Sequence, residues 1–213
     1  MPTSPATTKP RIRRTQERAS ATRANLIAAG RSLFPQRGFD GVSLRDIEKK
    51  ADVKRGLVAY HFEEKENFWK FVADEIFQEM AGEFEQRMAI LHELPEDGRL
   101  SFLVRFHVGY HARSPELSRL MSQEAIQNTW RIDYLIETYI RPSLANLKLL
   151  TSATLNLTDA QFIHWYYIMI SASSTVFSFA PECRQLFGVD PCENEFVEGH
   201  AKMLIDMLFK QTK

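Results

Sequence analysis

The sequence predicts an all-α protein: a three-helix N-terminal domain followed by a larger helical body. Three observations predict it. Apolar residues recur at three- and four-residue spacing along most of the chain after residue 19. Cap residues mark helix starts, as in Ser43 with Asp46 and Thr158 with Gln161 three residues on. No segment shows strand alternation bounded by turn residues, and no repeat recurs at a fixed period.

Each element has its own signal. Residues 1–18 hold three prolines and a basic cluster (Arg11, Arg13, Arg14) without an apolar period, and read as a flexible basic arm. Leu26, Ile27, Gly30, Leu33 and Phe34 predict a helix over 19–34, closed by Gly38 in a left-handed cap. Ser43 is the N-cap of a two-turn helix that buries Leu44, Ile47 and Ala51. Asp52-Val53 breaks it, and a second short helix over 55–61 turns Val53, Val58 or Leu57, and Phe62 inward. A long helix is expected over 65–92, with Phe68, Phe71, Val72, Ile76, Phe77, Met80, Phe84 and Met88 at helical spacing. Further helices are expected over 100–112, from Ser114-Pro115 to 128, and over 132–150, the last kinked or split at Pro142. The final two run over 160–179 and 193–209, separated by a short turn over 182–187 and a loop. The domain boundaries that follow are 1–18, 19–65 with the helix-turn-helix at 43–62, and 66–213.

Charge gives the first indication of function. The 213 residues carry 27 basic and 27 acidic side chains, but residues 1–65 hold 14 Lys/Arg against 7 acids. A basic head on an acidic body suits binding of a polyanion by the head. Composition excludes other classes. The chain is 44% apolar with 9 Gly and 9 Pro, so it is neither disordered nor fibrous. Two cysteines, Cys183 and Cys192, make neither a disulfide scaffold nor a four-thiolate zinc site, and read as reduced thiols. No 18-residue apolar window or secretory N-terminus is seen, which gives the expectation of a cytoplasmic protein without membrane contact.

The two short helices and their tight connection form a helix-turn-helix, whose second helix enters the major groove of DNA. Lys54, Arg55, Tyr60, His61 and Lys65 supply donors, and Val53, Val58 and Phe62 supply the anchor. The run Thr22-Arg23 … Ala28-Ala29 … Leu33-Phe34 … Arg37-Gly38-Phe39 … Val42-Ser43-Leu44-Arg45-Asp46-Ile47 … Ala51-Asp52-Val53-Lys54-Arg55-Gly56 … Tyr60-His61-Phe62 … Lys65-Glu66 resembles the TetR/AcrR family of bacterial transcriptional regulators over residues 20–70. The resemblance implies roles for these residues. Ser43 faces a phosphate through its hydroxyl or N–H, and Arg45 lies near the backbone, with a base as its alternative contact. Arg55 and Leu57 read base edges with Lys54 beside them, and Gly56 allows close approach to the groove. Tyr60, His61 and Lys65 lie at or beside phosphate contacts. Two positions depart from the family pattern: Leu57 stands where Thr or Ser is common, and Ala59 where a phosphate-binding Tyr is common. Leu57 suits a thymine methyl.

The rest of the chain fits the family's ligand-binding and dimerisation domain in length and helix content. Phe106, His107, Tyr110, His111, Met121, Glu124, Trp130, Tyr134 and Trp165 are the candidate lining of an effector pocket, apolar with a few polar groups. His107 and His111 are spaced as metal ligands can be, but no third ligand is identifiable, so no metal or other cofactor is expected. No phosphate loop, nucleophile elbow or carboxylate pair suggests an enzyme. Phe162, Trp165, Tyr166, Met169, Met203 and Met207 lie on the last two helices, whose apolar residues cover more than one face and suit a twofold four-helix interface. The sequence therefore predicts a homodimeric regulator, more specifically a repressor. Its partners would be a near-palindromic operator and a small-molecule effector transmitted through the 65–92 helix. An enzyme or carrier that kept a vestigial head is the other class left open.

Overall fold

The computed structural model describes residues 9–209, and these form helices joined by short turns, with no strand among them. In order the helices are α1 (Lys9–Arg37), α2 (Leu44–Lys50), α3 (Leu57–Phe62), α4 (Lys65–Glu85), α5 (Met88–Glu93), α6 (Glu96–Arg113), α7 (Glu116–Glu124) and α8 (Trp130–Leu135). A π-helical turn (Ile136–Ile140) follows, then α9 (Arg141–Leu155), α10 (Asp159–Ser178), α11 (Ala180–Phe187) and α12 (Asn194–Phe209). The chain divides into two compact units, Met1–Glu75 and Ile76–Lys213. The expected boundary at residue 65 thus moves ten residues into α4. The cause is Phe68, Trp69, Val72 and Ala73, which are buried in the first unit.

In the first unit, α1 buries Leu26, Ala29, Leu33 and Phe34. Phe68 is the hub: its ring lies 5.8 Å from Phe34 and 4.8 Å edge-on from Phe62. Gly30 permits this packing. A Cβ there would stand 2.6 Å from Val72 and 2.8 Å from Phe68, too close for α1 and α4 to keep their separation. The arm expectation is corrected for residues 9–18, which are helical. A missing apolar period shows only that a segment packs against nothing. Arg, Gln and Glu still favour helix, and Pro10 falls in the first turn, where its missing N–H costs little. Residues 1–8 and the side chains of Arg11, Arg13 and Arg14 lie outside the described residues.

The second unit is organised around α6. Leu100, Val104, Val108 and Ala112 pack with Phe162, Trp165, Met169 and Phe177 of α10 and with Ala201 and Leu204 of α12. Arg119 of α7 donates from Nε and Nη2 to the Ser178 carbonyl at 3.2 and 3.1 Å, closing the C-terminus of α10. Thr158 and Gln161 make the expected capping box.

Three expectations are revised here. The 65–92 helix breaks at residues 86–87. Arg87 sends its guanidinium to the Glu83 carbonyl, while its backbone N–H bonds to Phe84 instead. The kink expected at Pro142 is spread over the π-helical turn before it, where the Arg141 N–H reaches the Ile136 carbonyl five residues back. Proline's missing N–H and its ring favour that longer loop. The short turn over 182–187 is part of α11, which Pro181 starts and Gly188 (φ 67°) ends.

Candidate nucleic-acid interface

The helix-turn-helix is built from local signals. Gly38, at φ 69°, ends α1, and its N–H bonds to the Phe34 carbonyl at 2.9 Å. The Ser43 N–H donates to Asp46 Oδ2 at 3.0 Å, and the Asp46 N–H returns to Ser43 Oγ at 3.1 Å. The Ser43 hydroxyl also bonds to Asp46. That hydroxyl first, and the Ser43 N–H second, hold the Asp46 carboxyl below the usual carboxylate range. In the free chain the N–H and hydroxyl of Ser43, expected at a phosphate, are both engaged with the box acid. Gly56 stands at φ 89°, which an L side chain rarely adopts, while a Cβ there would meet nothing within 4 Å. Backbone conformation therefore accounts for this glycine within the chain.

The turn and α3 sort by exposure. Val58 and Phe62 are buried, and Leu57 and His61 are half-buried. Arg45, Lys54, Arg55 and Ala59 are exposed, and Tyr60 is 77% exposed. The cations and the phenol thus stand at the surface of the first unit, beside the small Ala59. Tyr60 rests edge-on against His61 with ring centres 5.0 Å apart. Lys65 carries its ammonium 4.1 Å from the Phe39 ring centre, so packing as well as charge fixes it. One residue of this region escaped sequence reading. Glu48, on α2, is buried, and its carboxylate accepts from the Gly56 and Val58 N–H groups. A charged residue on a two-turn helix gives no sequence signal of burial.

In the second unit the expected effector residues fall into several environments. Phe106, Tyr110, His111 and Glu124 are buried, and Met121, Trp130 and Tyr134 are half-buried. Tyr110 donates to the Ile76 carbonyl at 3.4 Å. Glu124 receives the Arg131 Nε at 2.7 Å, with both side chains at most 5% exposed. Trp165 packs in the domain's own core with Phe162 and Met169. Those three are accordingly withdrawn from the interface set, since their own domain buries them. Tyr166 is half-buried against the same core. Met203 and Met207 are 64% and 62% exposed, Ile168 of α10 is 56% exposed, and Ile163 and Tyr167 of α10, overlooked in the sequence, are 54% and 63% exposed. The i, i+4 pair Ile163 and Tyr167 marked this outer stripe, but the larger aromatics of the inner stripe obscured it.

His107 and His111 stack with ring centres 6.1 Å apart, and neither buried Nδ1 has a hydrogen-bond partner among the described residues. Burial lowers His107 to about 3, with His111 next to it contributing, and lowers His111 to about 4. Both are neutral at pH 7. The unfolded chain takes up these protons near pH 6.5 and the folded chain does not, so stability is lost as pH falls below 6.5. At pH 5.5 the expected loss is about 3 kcal/mol relative to pH 7.5. Urea unfolding at the two pH values checks this, with the His107→Gln, His111→Gln double variant expected to flatten the dependence. Among the described residues no group of three or more His, Cys, Asp or Glu is placed to hold a metal, and no helix is long and apolar enough to cross a membrane.

A basic helix-turn-helix head on a separate all-helical unit defines the class of a helix-turn-helix regulator. Two family models match: bacterial regulatory proteins of the tetR family over residues 26–69, and the tetracyclin repressor-like C-terminal domain over residues 97–208. The chain belongs to the TetR family. It is 25% identical to YttP of Bacillus subtilis over 120 residues, 56% of this chain and 58% of that one. It is 36% identical over 58 residues to the HTH-type transcriptional repressor DhaR of a Mycobacterium species, covering 27% of this chain and 29% of DhaR. The chain thus spans less than two thirds of these curated relatives. The fold matches that of the fatty acid degradation regulator FadR from Bacillus halodurans, with a TM-score of 0.61 at 15% identity over 86% of this chain and 94% of that one.

Proposed function

We propose that the chain is a homodimeric, cytoplasmic transcriptional repressor that acts by binding and not by catalysis. It reads a near-palindromic duplex operator with the turn and helix at 53–62, and a small molecule bound in the second unit releases it. The observation that carries this reading is the exposed set Arg45, Lys54, Arg55 and Tyr60 on a helix-turn-helix anchored by Val58 and Phe62. Arg55 is assigned to a base edge, with Lys54 and Leu57 beside it. Arg45, Tyr60, His61 and Lys65 are assigned to the backbone. DhaR, a similar protein, carries the name of a repressor, which supports repression over activation.

The effector is assigned to Phe106, His107, Tyr110, His111, Met121, Glu124, Trp130 and Tyr134. Its signal would travel along α4, which has residues in both units. An effector's leverage equals its differential affinity for the two states, about 1–3 kcal/mol for a 5–150-fold change in operator affinity.

The test uses the duplex that the wild-type chain enriches from a random-sequence pool. Arg55→Ala should weaken binding to that duplex by about 1–3 kcal/mol, dependent on one base pair, and leave random duplex nearly unchanged. Lys65→Ala should weaken both alike. Equal effects of both variants on both duplexes would refute these roles. The dimer is assigned to Ile163, Tyr167, Met203 and Met207. Tyr167→Asp with Met207→Asp should yield a folded monomer by sedimentation, because these side chains are exposed in the single chain. A dimer of unchanged mass would reject that face.

A further inference from the structure

Behind the reading helix stands a buried acid outside the set assigned to DNA. Glu48 on α2 is 5% exposed. Its Oε1 accepts from the Gly56 N–H at 2.8 Å and from the Val58 N–H at 3.1 Å. These two amides open α3, whose N-cap is Gly56 and which has no side-chain cap on its own strand of chain. A six-residue helix has little stability alone, so its direction depends on what grips it. At the other end Arg23 of α1 sets its guanidinium 5.3 Å from the Phe62 ring centre and 4.6 Å from that of Phe71. An acid thus holds the N-terminal amides of α3, and a cation lies over the ring of its last residue. Both grips come from helices other than α3.

We propose that Glu48 is a positioning residue for sequence selection. Its carboxylate fixes the angle of α3 and of the turn that carries Lys54 and Arg55, and so governs which duplex is preferred without touching DNA. The inference rests on the reading of this chain as a duplex-binding regulator. The physical reason is a difference in tolerance. Base-edge contacts need side chains placed in register with the groove, whereas long cations find phosphates over a range of helix tilts. Removing Glu48 leaves the part-buried Gly56 amide and the buried Val58 amide without their acceptor and lets α3 tilt. Selective binding then suffers more than general attraction to the duplex.

The experiment measures affinities of the full chain for two duplexes of equal length at one salt concentration. One is the duplex that the wild type enriches from a random-sequence pool, and the other is the unselected pool. Glu48→Ala is expected to lower the ratio of the two affinities by about tenfold or more, the range of hydrogen bonds to a charged group. Glu48→Gln keeps an acceptor oxygen in the same place and is expected to restore most of the ratio. Partial unfolding removes active protein equally for both duplexes, so it leaves the ratio unchanged. Where Glu48→Ala does not fold, Glu48→Asp withdraws the oxygen by one methylene and is expected to lower the ratio too. An unchanged ratio in a folded Glu48→Ala or Glu48→Asp chain overturns the proposal. So does a Glu48→Gln ratio as low as that of Glu48→Ala. A wild type that binds neither duplex in dilute buffer overturns the regulator reading, and is distinct from both of those results.

Discussion

Raising the salt from 50 to 200 mM should weaken binding of the dimer to its duplex by about 10³–10⁵-fold. That is the response of a protein that neutralises about 6–10 phosphates and releases their counterions. The source is the charge division along the chain: 14 basic and 7 acidic side chains in residues 1–65, against 13 and 20 in the remainder. The exposed cations of the first unit include Arg45, Lys54 and Arg55. An acidic second unit would be repelled by the same polyanion, so the slope reports on the head. A titration of labelled duplex at four or five salt concentrations measures it. A flat response would favour the other class, an enzyme or carrier whose helix-turn-helix is vestigial.

Glu124→Ala should destabilise the second unit by about 3–5 kcal/mol. The Arg131 Nε lies 2.7 Å from the Glu124 carboxylate, and the two side chains are 5% and 1% exposed. Arg131 also donates to Gln127 at 3.2 Å, which holds its geometry but supplies no negative charge. Deleting the acid takes a carboxylate held at 2.7 Å from a guanidinium that water cannot easily reach. The pair as a whole is a different matter, because bringing two ions out of water offsets most of their attraction. The double variant Glu124→Leu, Arg131→Met should therefore recover most of the stability lost by Glu124→Ala. Chemical denaturation of the three proteins decides it. A Glu124→Ala chain within 1 kcal/mol of wild type would mean that the site is wetter than its burial indicates.

The head was largely legible in the sequence because its geometry is specified by local chemistry. Gly38 and Gly56 occupy left-handed backbone, Ser43 and Asp46 close a box four residues long, and Phe34, Phe62 and Phe68 sit at spacings that allow one shared core. What was not legible depends on contacts between residues distant in sequence. Glu48 looks like a surface charge until the Gly56 and Val58 amides are brought to it. Phe162, Trp165 and Met169 suited an interface as well as a core, and only the packing of α6 against α10 separates the two. The break after α4 depends on a side chain, Arg87, taking a backbone acceptor, a competition that hydrophobic period does not register. The same limit applies to the effector residues. Aromatic spacing placed several of them, Phe106, Tyr110 and Trp165 among them, inside the second unit.

Regulation would have to act on small energies. A coupling of about 1–3 kcal/mol between effector and operator is no larger than the stability change expected for Glu124→Ala, about 3–5 kcal/mol. Polar groups inside the second unit can therefore bias a two-state equilibrium and still leave the fold intact. His107 and His111, neutral and with Nδ1 unsatisfied by the described residues, are the groups best suited to exchange hydrogen bonds with a small polar molecule.

The central claim is that duplex DNA meets this chain at the helix-turn-helix face of its first unit. Amide hydrogen exchange of the full chain at low salt, with and without the enriched duplex, tests it most directly. Slowed exchange should concentrate in peptides covering residues 43–65. Protection confined to residues 76–209, or none at saturating duplex, would contradict it.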